Sequence, residues 1–395
     1  MGLIGSILLY GLEALLAGVV GYLLFLTVAA WFAPRQTKLP AKPLDRRFAI
    51  LIPAHNEERL LPSLLDNLHQ LDYPRELYTI HVVADNCTDR TAEIARQDGA
   101  VAHERFDTTQ LGKGYALEWL IERLWARSEV FDAILILDSD SIISPNFLSV
   151  MAARLAGGEE AIQAYYAVRD PAGSWSASLR AIALAALHFL RPLARSVLGA
   201  STGLKGNGMV FAADIIKQYR WPASLTEDIE YHMSLILDGR RVTFAPDAVV
   251  WAEMPSSLAA SQTQNVRWER GRQEMVRNYV PRLLKAAAVR RSFLLLDAAI
   301  EQLIPPFSIV AGATVICLLL AGLLQDRVGL WVALSLLAGQ AAYTLAALSL
   351  SRLPARVYQA LLYVPVFIGW KIWLYLRVLV GLDRKGWVRT ARNDS

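Results

Sequence analysis

The chain has 395 residues and is 54% hydrophobic, a content high for a water-facing enzyme and concentrated at the two ends, so membrane-embedded segments are expected. Lys and Arg number 40 against 36 Asp and Glu; a net charge of +4 with no nucleic-acid motif suits anionic membrane lipid and excludes a nucleic-acid binder. Two cysteines, Cys87 and Cys317, are too few and too differently placed for a disulfide framework or a zinc site.

Ala14 to Phe32 is uncharged and predominantly apolar, and apolar residues continue upstream to Leu3, interrupted by Glu13. About 20 such residues span a bilayer. A cleaved signal peptide is the competing explanation, but no Lys or Arg precedes the stretch. Arg35, Lys38, Lys42, Arg46 and Arg47 follow it, which by the positive-inside rule puts the next domain in the cytoplasm. Residues 1–33 are thus expected to be a transmembrane helix and 34–47 a polar linker.

From Phe48 the pattern alternates between strand and helix. Phe48 to Ile52 reads as a strand, and Pro53-Ala54-His55-Asn56-Glu57-Glu58 as a loop. Leu60, Leu61, Leu64, Leu65, Leu68 and Leu71 recur at helical spacing. Tyr78 to Ala84 is the next strand; it ends in Asp85, and Thr88 or Asp89 can cap a helix that stops at Gly99. Ala133 to Leu137 is a third strand, and the alternation predicts a parallel, doubly wound α/β sheet. Further strands are expected at Gln163–Val168, 209–211, 242–245 and 248–251. Trp175 to Leu198 reads as a helix at the membrane surface or beside the active site, or as an ordinary core helix.

Gln262 to Arg291 interleaves basic residues with Trp268, Met275, Tyr279 and Leu284, a composition suited to the headgroup layer or to a solvated helical face. Three apolar blocks follow, Pro305 to Leu324, Val328 to Leu350 and Val357 to Val380. The third contains Pro365, Lys371 and Arg377; if it does not cross, the basic tail at 381–395 stays on the cytoplasmic side. The expected organisation is a catalytic domain at 48–261, basic interfacial helices at 262–304 and transmembrane or interfacial helices at 305–380.

Four groups of polar residues are expected at the carboxyl edge of the sheet, where ligands of open α/β sheets bind. His55, Asn56, Glu57 and Asp85 line the first two strand ends, where strand-to-helix capping would also explain Asn56 and Asp85. Gly112-Lys113-Gly114 lets a backbone approach a phosphate beside a point charge, although an ordinary turn fits the same residues. Asp138-Ser139-Asp140 ends the third strand with two carboxylates able to share a divalent cation with a diphosphate. Thr226-Glu227-Asp228 opens a helix; N-capping by Thr226 and a general base at Asp228 are both open at this point.

Gln264-Asn265-Val266-Arg267-Trp268 matches a Gln-x-x-Arg-Trp signature. With Asp85, Asp138-x-Asp140 and Glu227-Asp228 in order, and apolar spans on both sides, the chain resembles the membrane-bound family 2 glycosyltransferases, in the style of hyaluronan, cellulose and poly-N-acetylglucosamine synthases. The resemblance implies a cytoplasmic GT-A (Rossmann-like) domain that takes a nucleotide-diphosphate sugar, expected to be a UDP-sugar, with Mn²⁺ or Mg²⁺. It implies that Ala54, Asn56, Glu57, Asp85, Lys113, Asp138, Ser139 and Asp140 bind the donor, with Asp138 and above all Asp140 on the metal. Asp228, beside Glu227, would be the general base, and Gln264, Arg267, Trp268 and Gly206-Asn207-Gly208 would shape the diphosphate and acceptor region. The expected protein is a multi-pass enzyme of the cell (inner) membrane. Its acceptor is a growing glycan or, in a single transfer, a polyprenyl phosphate or other lipid; Asn265 at the second motif position and the small number of spans leave both open.

Overall fold

The computed structural model describes residues 2–39, 45–127, 129–222, 224, 226–253 and 258–380; side chains of 2–4, 258–265, 267, 268, 378 and 379 also fall outside the description. Part of the expected linker, the basic tail and the side chains of Gln264, Arg267 and Trp268 therefore lie outside the described residues.

Among the described residues, eight strands form one sheet: β1 Phe48–Ala54, β2 Tyr78–Asp85, β3 Val101–Arg105, β4 Ala133–Ile136, β5 Ser141–Ile143, β6 Ala161–Val168, β7 Met209–Ala212 and β8 Val242–Ala252. Their order is β3-β2-β1-β4-β7-β6-β8-β5. The pairs β3·β2, β2·β1, β1·β4 and β6·β8 are parallel, whereas β4·β7, β7·β6 and β8·β5 are antiparallel. The sheet is therefore mixed, which corrects the all-parallel expectation. Ala54 belongs to β1 rather than to the loop after it. The two strands expected at 242–245 and 248–251 are one, β8, with a register shift opposite Ala164/Tyr165.

The apolar runs become strands because both faces of the sheet are covered. Every residue of β4 and all but one of β1 are buried. One face packs on helices Leu61–Leu68 and Phe147–Ala156 through Ile50, Ile52, Leu64, Leu135 and Phe147. The other packs on helices Lys113–Ala126 and Glu227–Leu237 through Leu51, Ile134, Leu117, Leu120, Phe211 and Tyr231. Each such side chain contributes about 1.5–3 kcal/mol on burial. At the β1 and β2 exits, Asn56 and Asn86 take φ of 56° and 52°, left-handed values that Asn tolerates.

Helix Gly2–Trp31 runs against Arg327–Leu350 and Phe307–Leu323 through Leu9, Leu16, Val20, Cys317, Ala333 and Leu336. Among the described residues, four helical stretches are long and apolar enough to cross a membrane: Gly5–Trp31, Trp175–Val197, Arg327–Leu350 and Ala355–Arg377. Phe293–Leu303 and Phe307–Leu323, bent by 62° at their junction, pass the same test only as a pair. Trp175–Val197 differs from the others because most of it is buried in protein. Its Phe189, Leu190 and Leu193 lie between Tyr165 and Phe244 of the sheet and Leu23, Leu26 and Tyr343 of the long helices. It includes a π-helical stretch, Ala185–Leu190.

Candidate active site

The ends of β1, β2 and β4 face one edge because those strands run parallel and in register: Ala54 lies beside Ala84, and Leu51 beside Ile136. β7 runs the opposite way, so its start meets the end of β4; the Gly208 N–H donates to the Ile136 carbonyl at 3.0 Å. This reversal brings Gly206-Asn207-Gly208 to the Asp138 turn. An all-parallel sheet would place that loop at the far edge.

Asn207 is fully buried and locks the turn. Its Oδ1 accepts from the Asp138 backbone N–H at 3.1 Å, and its Nδ2 donates to Ser141 Oγ at 2.7 Å. Its carbonyl accepts from Gln163 Nε2 at 2.8 Å. Gly206 and Gly208 flank it with φ of +79° and +65°. A Cβ at Gly208 would lie 2.6 Å from Val250 Cγ1, and one at Gly206 would lie 3.4 Å from Asp228 Oδ2 and 4.0 Å from Lys113 Nζ. The torsion favours glycine at both positions, and at Gly208 the space excludes a side chain as well.

Lys113 is the hub. It opens helix Lys113–Ala126, and its Nζ donates to Asp138 Oδ1 and to the Gly206 carbonyl. Burial disfavours its charge, but Asp138, Glu227 and Asp228 outweigh that and hold its pKa above the ordinary lysine value. Gly114 lets the helix start approach the chain at 222–224, since a Cβ there would lie 2.9 Å from the Pro222 carbonyl oxygen.

Glu227 and Asp228 open helix Glu227–Leu237, and Thr226 does not cap it: no side-chain capping bond forms. The Thr226 side chain faces Gly271 instead, where an added Cβ would lie 2.0 Å from Thr226 Cγ2. Burial, then the Asp228 charge, raises Glu227 to about 7. Burial also raises Asp228, offset by its backbone N–H partner and by Lys113 and Lys205. Asp228 thus sits in the field of two lysines, with Lys113 toward Asp138. Burial lowers Lys205 to about 8; Glu301 opposes the shift and Arg191 and Arg195 add to it. On this side Arg195 pairs with Asp297, and Arg191 with Glu301 at 2.8 Å, joining the π-containing helix to Phe293–Leu303.

Asp85 is 6% exposed and pairs with Arg105 Nη1 at 2.6 Å. Arg105, itself 4% exposed, also donates to the Gln110 carbonyl at 3.0 Å and to Asp107 Oδ2 at 3.1 Å. Burial raises Asp85, and the Arg105 hydrogen bond and charge oppose it. His55 Nδ1 lies 2.7 Å from the Asp85 carbonyl oxygen, Asn56 Oδ1 accepts from the Thr88 N–H at 2.7 Å, and the Glu57 N–H donates to Thr91 Oγ1 at 2.8 Å. Neither Asn56 nor Asp85 caps a helix; helix Thr91–Gln97 starts from Arg90 with no side-chain capping bond, and the expected cap Asp89 instead accepts from the Thr91 N–H at 3.0 Å in the turn before it.

Ser139 is buried between the two carboxylates of the turn, and Ser141 Oγ reaches Asp140 Oδ1 at 3.5 Å. Tyr166, on β6, is buried beside both acids, which together with burial push its hydroxyl far above the ordinary range. Among the described residues no three His, Cys, Asp or Glu side chains form a metal-holding group. Two hard carboxylates on one turn still fit Mg²⁺ or Mn²⁺, which take few protein ligands and fill their sphere with substrate phosphates and water.

The sequence missed Arg105, Tyr166 and Lys205. Lys205 stands next to a glycine-rich loop that was identified, which was a usable signal. Arg105 ends a short strand whose buried positions, His103 and Arg105, are polar, and nothing local marks it.

Residues 45–271 match the family described as "Glycosyltransferase like family 2". A probable glycosyltransferase of Bacillus subtilis (strain 168), YdaM, is 24% identical over 305 residues, 74% of this chain and 70% of that protein. A poly-beta-1,6-N-acetyl-D-glucosamine synthase of Staphylococcus epidermidis is 23% identical over 232 residues, 58% of this chain and 55% of that protein, so this chain spans about half of that relative. The solved mannosyltransferase PcManGT from Pyrobaculum calidifontis, in complex with GDP-Man and Mn²⁺, superposes with a TM-score of 0.54 at 18% identity, covering 95% of this chain and all of that one. That likeness is one of fold, and it is GT-A-like. The family match takes in the sheet, Lys113, the Asp138 turn, Asp228 and the start of helix Leu258–Arg290, and by it this chain belongs to glycosyltransferase family 2.

Proposed function

We propose that the chain is an inverting, metal-dependent membrane glycosyltransferase that moves a sugar from a nucleoside-diphosphate sugar to a growing glycan. The observation that carries this is the position of Lys113, bonded to Asp138 on one side and, across Gly206, close to Asp228 on the other. Asp138 and Asp140 supply the donor end, Lys113 the charge between, and Asp228 the acceptor end. GDP-Man and Mn²⁺, with which PcManGT is in complex, are of the same chemical class.

Asp228 takes the proton of the acceptor hydroxyl as that oxygen attacks the anomeric carbon. Burial raises both members of the pair, and Lys113 and Lys205 oppose the shift at Asp228, which places that carboxyl beside two cations. Lys113 stabilises charge on the departing diphosphate. Asn207 fixes the Asp138 turn, and the Arg105 pair fixes Asp85 against the nucleotide. Asn56, Glu57 and Ala54 form the floor of the first strand exit. Gln264, Arg267 and Trp268 complete the diphosphate and acceptor region from helix Leu258–Arg290. A bound Mn²⁺ or Mg²⁺ would supply Lewis-acid stabilisation of the diphosphate from Asp138 and Asp140.

The membrane reading divides the chain as a spanning helix to 33, a cytoplasmic catalytic domain at 48–261, interfacial helices at 262–304 and apolar helices at 305–380, with the site against the inner leaflet. Lys371 in the last apolar helix pairs with Glu269, which supports an interfacial rather than a crossing position for that helix. A single transfer to a lipid phosphate is the second reading. It is favoured by Lys205, a cation beside Asp228 on the side of the buried Arg191 and Arg195.

The experiment is turnover by the Asp228→Asn variant. Donor binding should persist while transfer is lost; unchanged transfer removes Asp228 as the base. Product mass separates the readings, a ladder for the glycan and one lipid-linked sugar for the other.

A further inference from the structure

We propose that the last described helix, Val364–Val380, is a positioning element of the catalytic site that acts through Glu269 and holds the Gln264–Trp268 segment against the start of the Glu227–Asp228 helix. It rests on the function proposed above and goes beyond it, because composition alone makes this helix only an anchor.

Lys371 and Tyr375 lie one turn apart on Val364–Val380 and reach the same carboxylate. Lys371 Nζ is 3.7 Å from Glu269 Oε1, and Tyr375 Oη donates to that oxygen at 3.2 Å. The ion pair is largely screened from solvent, with side chains 12% and 14% exposed. Tyr375 Oη also lies 3.2 Å from Ser308 Oγ, which ties in helix Phe307–Leu323. Beside the polar clamp, Val266 packs on Leu374, with Trp370 against them. Val266 is inside the Gln-Asn-Val-Arg-Trp segment and Glu269 follows it directly.

The other side of helix Leu258–Arg290 has no slack. Gly271, two residues after Glu269, leaves no room for a Cβ against Thr226, the residue before Glu227. Arg272 Nη2 donates to the Ile304 carbonyl at 3.1 Å, between the two halves of the bent helix pair. The motif helix is therefore held between the last apolar helix and the catalytic helix start. Loosening the outer contact lets the motif retreat from Asp228, while the donor-side residues Asp138, Asn207 and Asp85 keep their bonds.

That geometry predicts a loss in kcat rather than in donor affinity. The proteins to compare are wild type, K371M, E269K and the exchanged pair E269K/K371E, each purified in detergent and assayed for nucleotide release from a nucleotide sugar. K371M should lower kcat about tenfold or more with donor KM within about threefold, and K371R should stay near wild type. The exchanged pair should recover most of what E269K loses. If K371M turns over at the wild-type rate, or the exchanged pair is no better than E269K, the clamp is wrong. Should K371M fail to fold, Y375F removes a single hydroxyl and should show the same kcat-selected loss in smaller degree; an unchanged kcat in Y375F then overturns the proposal. Melting temperatures of wild type, E269K, K371E and E269K/K371E give the Glu269–Lys371 coupling independently of turnover. No turnover by any of them would defeat the proposed function, whereas no coupling in either readout would defeat the clamp alone.

Discussion

Replacing Arg105 by Met tests the buried pair behind Asp85. Asp85 and Arg105 are 6% and 4% exposed, and their 2.6 Å contact is backed by the Gln110 carbonyl and Asp107. Methionine fills much of the volume but leaves a carboxylate buried with no cation. Removing one partner of a buried pair costs about 3–5 kcal/mol. For a catalytic domain of this size that is a fall in Tm of roughly 6–20 °C. Differential scanning fluorimetry of detergent-purified protein reads it directly. Adding Asp85→Asn to Arg105→Met should recover at least half of the loss, because the uncompensated charge is gone. The pH dependence has a definite sign. Burial already raises Asp85, and without Arg105 its main opposing partner is gone. A carboxyl raised above its unfolded value favours the fold at low pH and loses that contribution as pH rises. The deficit of Arg105→Met should therefore be largest near neutrality and shrink toward about pH 4. A Tm within about 2 °C of wild type, or a double variant no more stable than Arg105→Met, would refute the pair's role.

Three other outcomes follow from the same geometry. Asn207→Leu leaves the Asp138 N–H and Ser141 Oγ without their partner; a cost of about 1–3 kcal/mol in Tm measurements, with turnover reduced at least tenfold, is expected, and wild-type turnover would show that the turn holds itself. Gly206→Ala adds about 1–2 kcal/mol of left-handed strain and a methyl 3.4 Å from Asp228 Oδ2, so kcat should fall with little change in nucleotide binding, as steady-state kinetics would report. His81 and His103, hydrogen-bonded at 3.2 Å under helix Lys113–Ala126, are each lowered to about 4, chiefly by burial. A lowered histidine stabilises the fold above its unfolded value and loses that as pH falls; between about 6.5 and 4 each should withdraw about 3 kcal/mol, and a His81→Asn/His103→Asn variant should have a flatter acid limb in Tm against pH.

What the sequence made legible was whatever is written locally. Ala133 to Leu137 is apolar without interruption because both faces of β4 are covered, and Asp138 had to emerge at its end. Gly99 stops its helix with φ of +80°, as its position suggested. Orientation was not legible. Nothing in Met209–Ala212 says that it runs against β4, yet that reversal delivers Asn207 to the Asp138 turn. β3 escaped notice because Val101 and Glu104 face outward and break its alternation, and Arg105 escaped with it. Thr226 looked like an N-cap by residue type, but close approach of Gly271 from the motif helix turned its side chain to packing. Lys113 was singled out for a phosphate and is here bonded to Asp138, a partner 25 residues away that spacing does not reveal.

The central claim is that Lys113, the Asp138 turn and Asp228 form one site that cleaves a nucleotide sugar. Purified protein incubated with a panel of nucleotide sugars and Mn²⁺ or Mg²⁺, with nucleotide release and product mass recorded beside Asp228→Asn and a chelated control, tests it most directly. Release from at least one donor and growth of an acceptor are expected, with loss of both in the variant and the chelated sample. Release that persists at the wild-type rate in Asp228→Asn and in chelator would contradict it.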